Sequence, residues 1–220
     1  MVAYNGLTFE RLGHASVRIE TGDGTVIYID PWSQVLETEP HDADTVFVTH
    51  DDQDHYDAAA ITAVATTDTT VGAYEAIDTA DLDYEVTPLA DDVSHTVDGI
   101  EVQTVPAYNQ PDGDHVDEDG QPFHADDEVI GLLLTIDGTT VYFPSDTDFL
   151  DDHKELTADV VMPPIGGHFT MDRHTAARFV ESVDPALVLP VHYDTFDAIE
   201  TDAEAFKQDV EASGPEVVLF

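Results

Sequence analysis

Apolar and polar positions alternate with a period near two over much of the chain, and in three places two such runs are joined by a tight turn. VRIETGDGTVIYID (17–30), HTVDGIEVQTV (95–105) and LLLTIDGTTVYF (132–143) each set β-branched and aromatic residues on both sides of Asp-Gly or Gly-Asp-Gly. A two-residue hairpin needs positive φ there, so each stretch predicts a β-hairpin. The short apolar runs TVFVTH, ADVVMPP and ALVLPVH predict buried strands that end at charged or histidine-bearing turns. Helical patterns fall between strands, at 57–65, 74–79, 173–183 and 202–213. The stretch 112–128 is acidic and poor in apolar residues, which predicts a surface loop of the length that often shapes a site.

An internal echo suggests how these elements are arranged. GTVIYIDPW (24–32) resembles GTTVYFPSDTD (138–148), and each leads through further elements to a buried strand. Two similar halves would each deliver an acid from a strand end into one shared cleft; the alternative is that both merely share common hairpin vocabulary. The length of 220 residues fits a single domain, 1–220, with a substantial core.

Charge changes the picture most. Against 48 Asp and Glu stand 6 Lys and Arg, a formal net charge of -42, yet the apolar fraction of 42% is ordinary. The acids are spread along the chain and interleave with apolar runs, so they do not form a disordered tail. Self-repulsion of this size strains a compact fold at low ionic strength and is largely screened in molar salt, where the Debye length is about 3 Å. The expectation is a halophile's cytoplasmic protein. With no cysteine, disulfides, thiolate metal sites and cysteine nucleophiles are excluded. No run approaches the ~20 apolar residues of a membrane span, and the first residues lack the pattern of a signal peptide.

Candidate chemistry centres on VTHDDQDHYDA (48–58). His50 and His55 follow a buried strand and enclose several carboxylates, at the kind of strand-end loop where open α/β folds hold ligands. Imidazole and carboxylate together suit zinc, iron or manganese. Taken alone, the cluster is either a metal loop or a solvated acidic turn. There is no G-x-S-x-G elbow, P-loop, G-x-G-x-x-G or H-E-x-x-H. Ser145 beside Asp146 would need a dedicated histidine to act as a nucleophile.

Seven motifs in order, RLGHASVRIE, IDPW, THDDQDH, VPAYN, PSDTD, IGGHFTMD and LPVHYDTF, resemble those of the metallo-β-lactamase fold. They are most similar to its metal-dependent hydrolase branch, with the ascorbate-phosphate lactonases and N-acyl-phosphatidylethanolamine phospholipases D. The resemblance implies a four-layer αββα sandwich: two mixed β-sheets face to face with helices outside and a metal cleft at one edge. It implies one metal position at Asp54, His55, Asp146 and His192, with Asp146 bridging and Asp30 orienting the histidine loop. The other position would use His50, then Asp52 where the family usually has histidine, then Asn109 where it usually has a third histidine. Asn is a poor zinc ligand, so His124, on the 112–128 loop beside Phe123, is either its replacement or a surface histidine.

The same resemblance implies one or two divalent metal ions, zinc first and manganese or iron as alternatives, that activate water for hydrolysis of an ester, lactone or phosphodiester in a small molecule. Asp54 would direct the water. His14 is expected at the cleft rather than satisfied in the core, and His168, after two glycines, as a donor to substrate. His41, His95, His115, His153 and His174 are expected at the surface. A nuclease is the cousin activity, opposed by the scarcity of Lys and Arg for phosphate contacts; a non-catalytic metal-binding or regulatory module is the third alternative. Nucleic acid and membrane are therefore not expected partners, and no sequence pattern specifies an oligomeric state.

Overall fold

In the computed structural model, which describes all 220 residues, fourteen strands form two seven-stranded sheets. The first contains, in spatial order, β1 (Val2–Tyr4), β2 (Leu7–Gly13), β3 (Ser16–Glu20), β4 (Val26–Ile29), β5 (Ala43–Val48), β6 (Ala65–Tyr74) and β7 (Glu85–Leu89). The second runs from β8 (Ser94–Val97) through β9 (Ile100–Ala107), β10 (Val129–Ile136), β11 (Thr139–Phe143), β12 (Val160–Val161) and β13 (Leu187–Val188) to β14 (Glu216–Val217). All three expected hairpins form. Asp98 and Gly99 (φ 47° and 82°), and Asp137 and Gly138 (φ 50° and 79°), supply the positive φ that the turns between β8 and β9 and between β10 and β11 demand.

The echo between 24–32 and 138–148 is topological. β4 is antiparallel to β3 and parallel to β5, and β11 is antiparallel to β10 and parallel to β12. Each sheet thus changes from antiparallel to parallel at the echoed strand. Parallel neighbours need crossovers. Those carry α1 (Ala58–Val64), α2 (Arg173–Val183) and α3 (Ala203–Glu211). Each helix starts at an aspartate whose carboxylate accepts from free N–H groups of the first turn: Asp57 from Ala59 and Ala60, Asp172 from Thr175, Asp202 from Ala205.

Period-two patterning sets the layers. Along β10 and β11, Leu132, Leu134, Val141 and Phe143 enter the core between the sheets with Phe9, Ile27, Phe47 and Val71. Leu133 and Tyr142 face the other way, to Phe179, Val180 and Phe206 beneath α2 and α3. The outer layer on the first sheet is thin, with Ile61 and Val64 of α1 joining the central cluster. No helix is long and apolar enough to cross a membrane.

Three expectations need correction. Residues 74–79 are not helical: Tyr74 ends β6, paired with Leu89 of β7, and only a turn from Ile77 N–H to the Tyr74 carbonyl follows. Six residues offer too little to repay helix nucleation against a parallel strand pairing. The 112–128 loop has no strand or helix, but its end turns inward, leaving Phe123 half-buried and His124 buried. His153 is fully buried rather than exposed. It packs edge-on to Phe179, its Nε2–H donates to the Pro106 carbonyl (2.9 Å), and burial lowers its pKa. His41 and His174 are exposed; His95 and His115 are half-buried.

One close approach fixes the edge that carries the site. Gly166 donates its N–H to the His192 carbonyl (3.1 Å), and a Cβ there would lie 2.5 Å from that oxygen and 2.8 Å from Ile199 Cβ. Gly166→Ala is expected to cost about 1–3 kcal/mol of stability through overpacking. Urea unfolding in molar salt checks this, with an unchanged midpoint counting against the close packing.

Candidate metal centre

The sheet edges bring four strand-end turns together: His14 after β2, Asp30 after β4, the 49–55 loop after β5, and Ser145–Asp146 after β11. His192 joins them from the turn after β13. His14, Asp30, Ser145 and His192 have φ of 51°, 45°, 59° and 51°. Non-glycine residues adopt this left-handed region at a cost of roughly 1–3 kcal/mol each, and such strain concentrates at functional sites. Arg11 holds two of the turns, donating to the carbonyls of His14 (3.0 Å) and Tyr193 (2.7 Å) while its guanidinium lies 4.0 Å from the Tyr193 ring centroid.

His55 is fully buried between the two echoed acids. Its Nδ1–H donates to Asp30 Oδ2 (2.7 Å), and its Nε2 lies 3.5 Å from Asp146 Oδ1. Asp30 also accepts from the Thr49 N–H (2.9 Å) and hydroxyl (2.7 Å). Thr49 Oγ1 in turn accepts from His50 Nδ1 (2.9 Å) and bonds to Ser145 Oγ (2.7 Å). These outer partners assign the tautomers: His50 and His55 spend Nδ1–H outward and turn Nε2 inward.

Asp146 sits between two groups of donors. Its Oδ2 is 3.0 Å from His192 Nε2 and 3.6 Å from His124 Nε2. On one side, the ligand-type atoms of His14, Asp54, His55 and His192 lie within 4.8 Å of one another; on the other, so do those of His50, Asp52 and His124. Asp52 Oδ2 is 3.3 Å from His124 Nε2 and 3.6 Å from His50 Nε2. The expected residues Asp30, His50, Asp52, Asp54, His55, Asp146 and His192 are thus brought together, and His124 with them.

Asn109 does not face the cluster. Its Oδ1 accepts from His124 N–H (3.0 Å) and His124 Nδ1–H (3.1 Å), and its Nδ2 donates to the Phe169 carbonyl (3.0 Å). The carboxamide holds a histidine in place instead of offering its own oxygen. His14 also differs from expectation. Its Nε2–H donates to Asp54 Oδ2 (2.8 Å) and its Nδ1 bonds to Thr195 Oγ1 (3.1 Å), so both nitrogens are occupied by protein partners. His168 is exposed and lies outside the cluster, its ring against Phe169 (4.3 Å between centroids) and Phe123 (5.6 Å).

Sequence reasoning missed Thr49, Thr195, Ser145 and Asp148 as parts of this apparatus. Asp148 Oδ2 accepts from Gln110 N–H (2.7 Å), and its Oδ1 bonds to the His115 ring, tying the 112–128 loop to the strand end. The available signals were adjacency for Thr49, next to His50, and the second acid of SDTD for Asp148.

Electrostatically the centre is built for a cation. Burial alone would depress the His55 imidazole, but Asp146, Asp30 and Asp54 outweigh it and push its pKa up to about 10. His124 is also raised, its burial outweighed by Asp52 and Asp146. Burial raises and His14 with His55 lower the Asp54 carboxyl, which settles at about 2. The His124 ring, hydrogen-bonded at 3.3 Å, and the nearby His50 imidazole hold Asp52 well below the usual carboxylate range. Burial takes His14 the other way, down to about 4. His50 Nε2, His55 Nε2 and Asp146 Oδ1 are buried with no hydrogen-bond partner. An unpaired buried polar atom costs about 1–3 kcal/mol, and three at one place fit a divalent ion that they would ligate.

Comparison with known proteins agrees with this geometry. The Beta-lactamase superfamily domain matches residues 8–192. A UPF0173 metal-dependent hydrolase of Methanopyrus kandleri is 33% identical over 217 residues, covering 94% of this chain and 92% of that protein. Another, from Methanosphaerula palustris, is 35% identical over 204 residues, covering 90% and 89%. Among solved structures, Igni18, a metallo hydrolase of Ignicoccus hospitalis, superposes with a TM-score of 0.79 at 26% identity over 97% of this chain and 94% of its own. A candidate metal-dependent hydrolase of Parabacteroides distasonis gives a TM-score of 0.83 at 28% identity over 96% and 91%. With the two mixed sheets, the convergent strand ends and the histidine–aspartate cluster, the chain belongs to the metallo-β-lactamase superfamily, among its metal-dependent hydrolases.

Proposed function

We propose that the protein hydrolyses an ester, lactone or phosphodiester bond of a small molecule at a centre for two divalent ions. His50, Asp52 and His124 would hold one ion, Asp54, His55 and His192 the other, and Asp146 would stand between them. The supporting observation is the set of unpaired inward atoms on His50, His55 and Asp146. Zinc suits this nitrogen and oxygen donor set, and the carboxylates also admit manganese or iron. When bound, such ions lower the pKa of water from about 15.7 towards about 7 and polarise the oxygen of the bond to be cut.

The chain's own groups supply orientation. Asp54, kept ionised and fixed by the His14 N–H, accepts a hydrogen bond from the attacking water and sets its direction. Asp30 and Thr49 keep the Nε2 edges of His55 and His50 turned inward. His168, exposed beside Phe123 and Phe169, would donate to a substrate oxygen reaching beyond the cluster. Nucleic acid does not fit a chain with 6 basic residues. A cytoplasm of high salt suits the acidic, cysteine-free composition.

His192→Ala should abolish metal-dependent turnover. His124→Ala should lower the number of ions retained after dialysis, while Asp52→His should tighten zinc binding; metal analysis of the purified variants checks both. Unchanged stoichiometry in His124→Ala would remove that residue from the ligand set. Loading should also release protons. At pH 7 the empty centre keeps His55 protonated, because its pKa is raised to about 10, and a cation must displace that proton. Affinity should therefore fall as pH falls, and calorimetry in buffers of different ionisation enthalpy should show at least one proton released per centre filled.

A further inference from the structure

Charge and apolar surface around the centre select among the bonds such a site could cut. Four carboxylates, Asp30, Asp52, Asp54 and Asp146, belong to the cluster, and they match the four positive charges of two divalent cations. No surplus positive charge is left to neutralise an anionic substrate. The six basic side chains do not supply it either. Arg11 is spent on the carbonyls of His14 and Tyr193, and Arg18 on Asp42 and Glu20. Lys154 pairs with Asp151, Arg173 with Asp209 and Lys207 with Glu211, while Arg178 bonds to Thr175 on the exposed side of α2. Asp51 and Asp52, both exposed, add negative charge at this loop, and no guanidinium or ammonium is free there to receive a phosphate ester.

Both ends of the row of imidazoles carry aromatic surface. At one end Phe196, 38% exposed, lies 5.6 Å from His14, which in turn packs against Trp32 at 5.2 Å. At the other, Phe123, next to His124, meets Phe169 at 5.0 Å and His168 at 5.6 Å between centroids. Apolar walls with a few convergent polar groups between them are what an uncharged small ligand requires.

We propose that this centre takes an uncharged carboxylic ester or lactone bearing an apolar acyl or aryl group, seated against Phe196 or the Phe123–Phe169 wall, and discriminates against phosphate esters. The proposal rests on the metal-hydrolase function above. The water oxygen bonds to the carbonyl carbon, the bond from that carbon to the alcohol oxygen breaks, and a water proton passes to the departing alkoxide. One water is consumed, and a carboxylic acid and an alcohol are formed.

The test uses the full chain in molar salt, loaded with zinc or manganese, with bound metal measured in the same samples. Para-nitrophenyl acetate, butyrate and hexanoate are compared with bis(para-nitrophenyl) phosphate, and inorganic phosphate is titrated as an inhibitor. We expect kcat/KM to rise about tenfold or more from acetate to hexanoate as methylenes are buried, and Phe196→Ala or Phe123→Ala to flatten that rise through KM. Phosphate should inhibit only weakly, and about tenfold more strongly in metal-loaded Asp52→His, which removes one negative charge from the centre. Faster turnover of the phosphodiester, strong inhibition of the wild type by phosphate, or a series flat in chain length would overturn the substrate class while leaving the metal centre standing. Absence of bound metal under every loading condition would overturn the metal-hydrolase function and this proposal with it.

Discussion

One imidazole in a fully buried position, His55, is held between an aspartate from each half of the molecule, and the arrangement of the site depends on it. Asp30 directly follows the echoed strand of the first sheet, and Asp146 lies in the turn after that of the second. A buried charge survives only when it is paired and hydrogen-bonded, so the two sheets must meet in a register that puts both carboxylates on one ring. The core between the sheets supplies the stability, and the pairing at its edge specifies where the halves stop. Left-handed turns at Asp30 and Ser145 are part of the same requirement, because each redirects the chain at the end of its strand.

Much of this was legible before any coordinates. Asp-Gly turns set the hairpins because few residues tolerate positive φ, and the helical patterns at 57–65, 173–183 and 202–213 coincide with α1, α2 and α3. That the 49–55 loop and the distant His192 meet was legible from motif order. What stayed hidden depends on packing between segments remote in sequence. His153 sits among polar neighbours yet is sealed under Phe179, and Tyr74 reads as the start of a helix until β7 is known to pair with it. The fates of Asn109 and His14 were invisible for a related reason: each has donors or acceptors suited to the cleft, and only the three-dimensional partners show that those groups are already used.

The hydroxyls are the least conspicuous members of the site. Thr49, Ser145 and Thr195 contribute no charge and match no metal motif. Thr49 nevertheless joins Asp30, His50 and Ser145, and through them both sheets, in one hydrogen-bonded unit. Their effect is to fix ring orientation, which sets whether an imidazole presents a lone pair or a proton to the interior.

In the proposed centre a loop histidine, His124, would serve in place of a strand-end one, and that exchange would have a thermodynamic meaning. His55 and His192 stand on turns anchored to the sheets. His124 is carried by the segment 112–128, which is held by Asp148 and Asn109. If His124 ligates, occupancy of that corner and order of the loop would be one equilibrium viewed from two ends, and whatever favours either would favour both. Because the loop is itself dense in acids, ionic strength would act on the same equilibrium, so salt would behave as a second ligand of the centre without ever entering it.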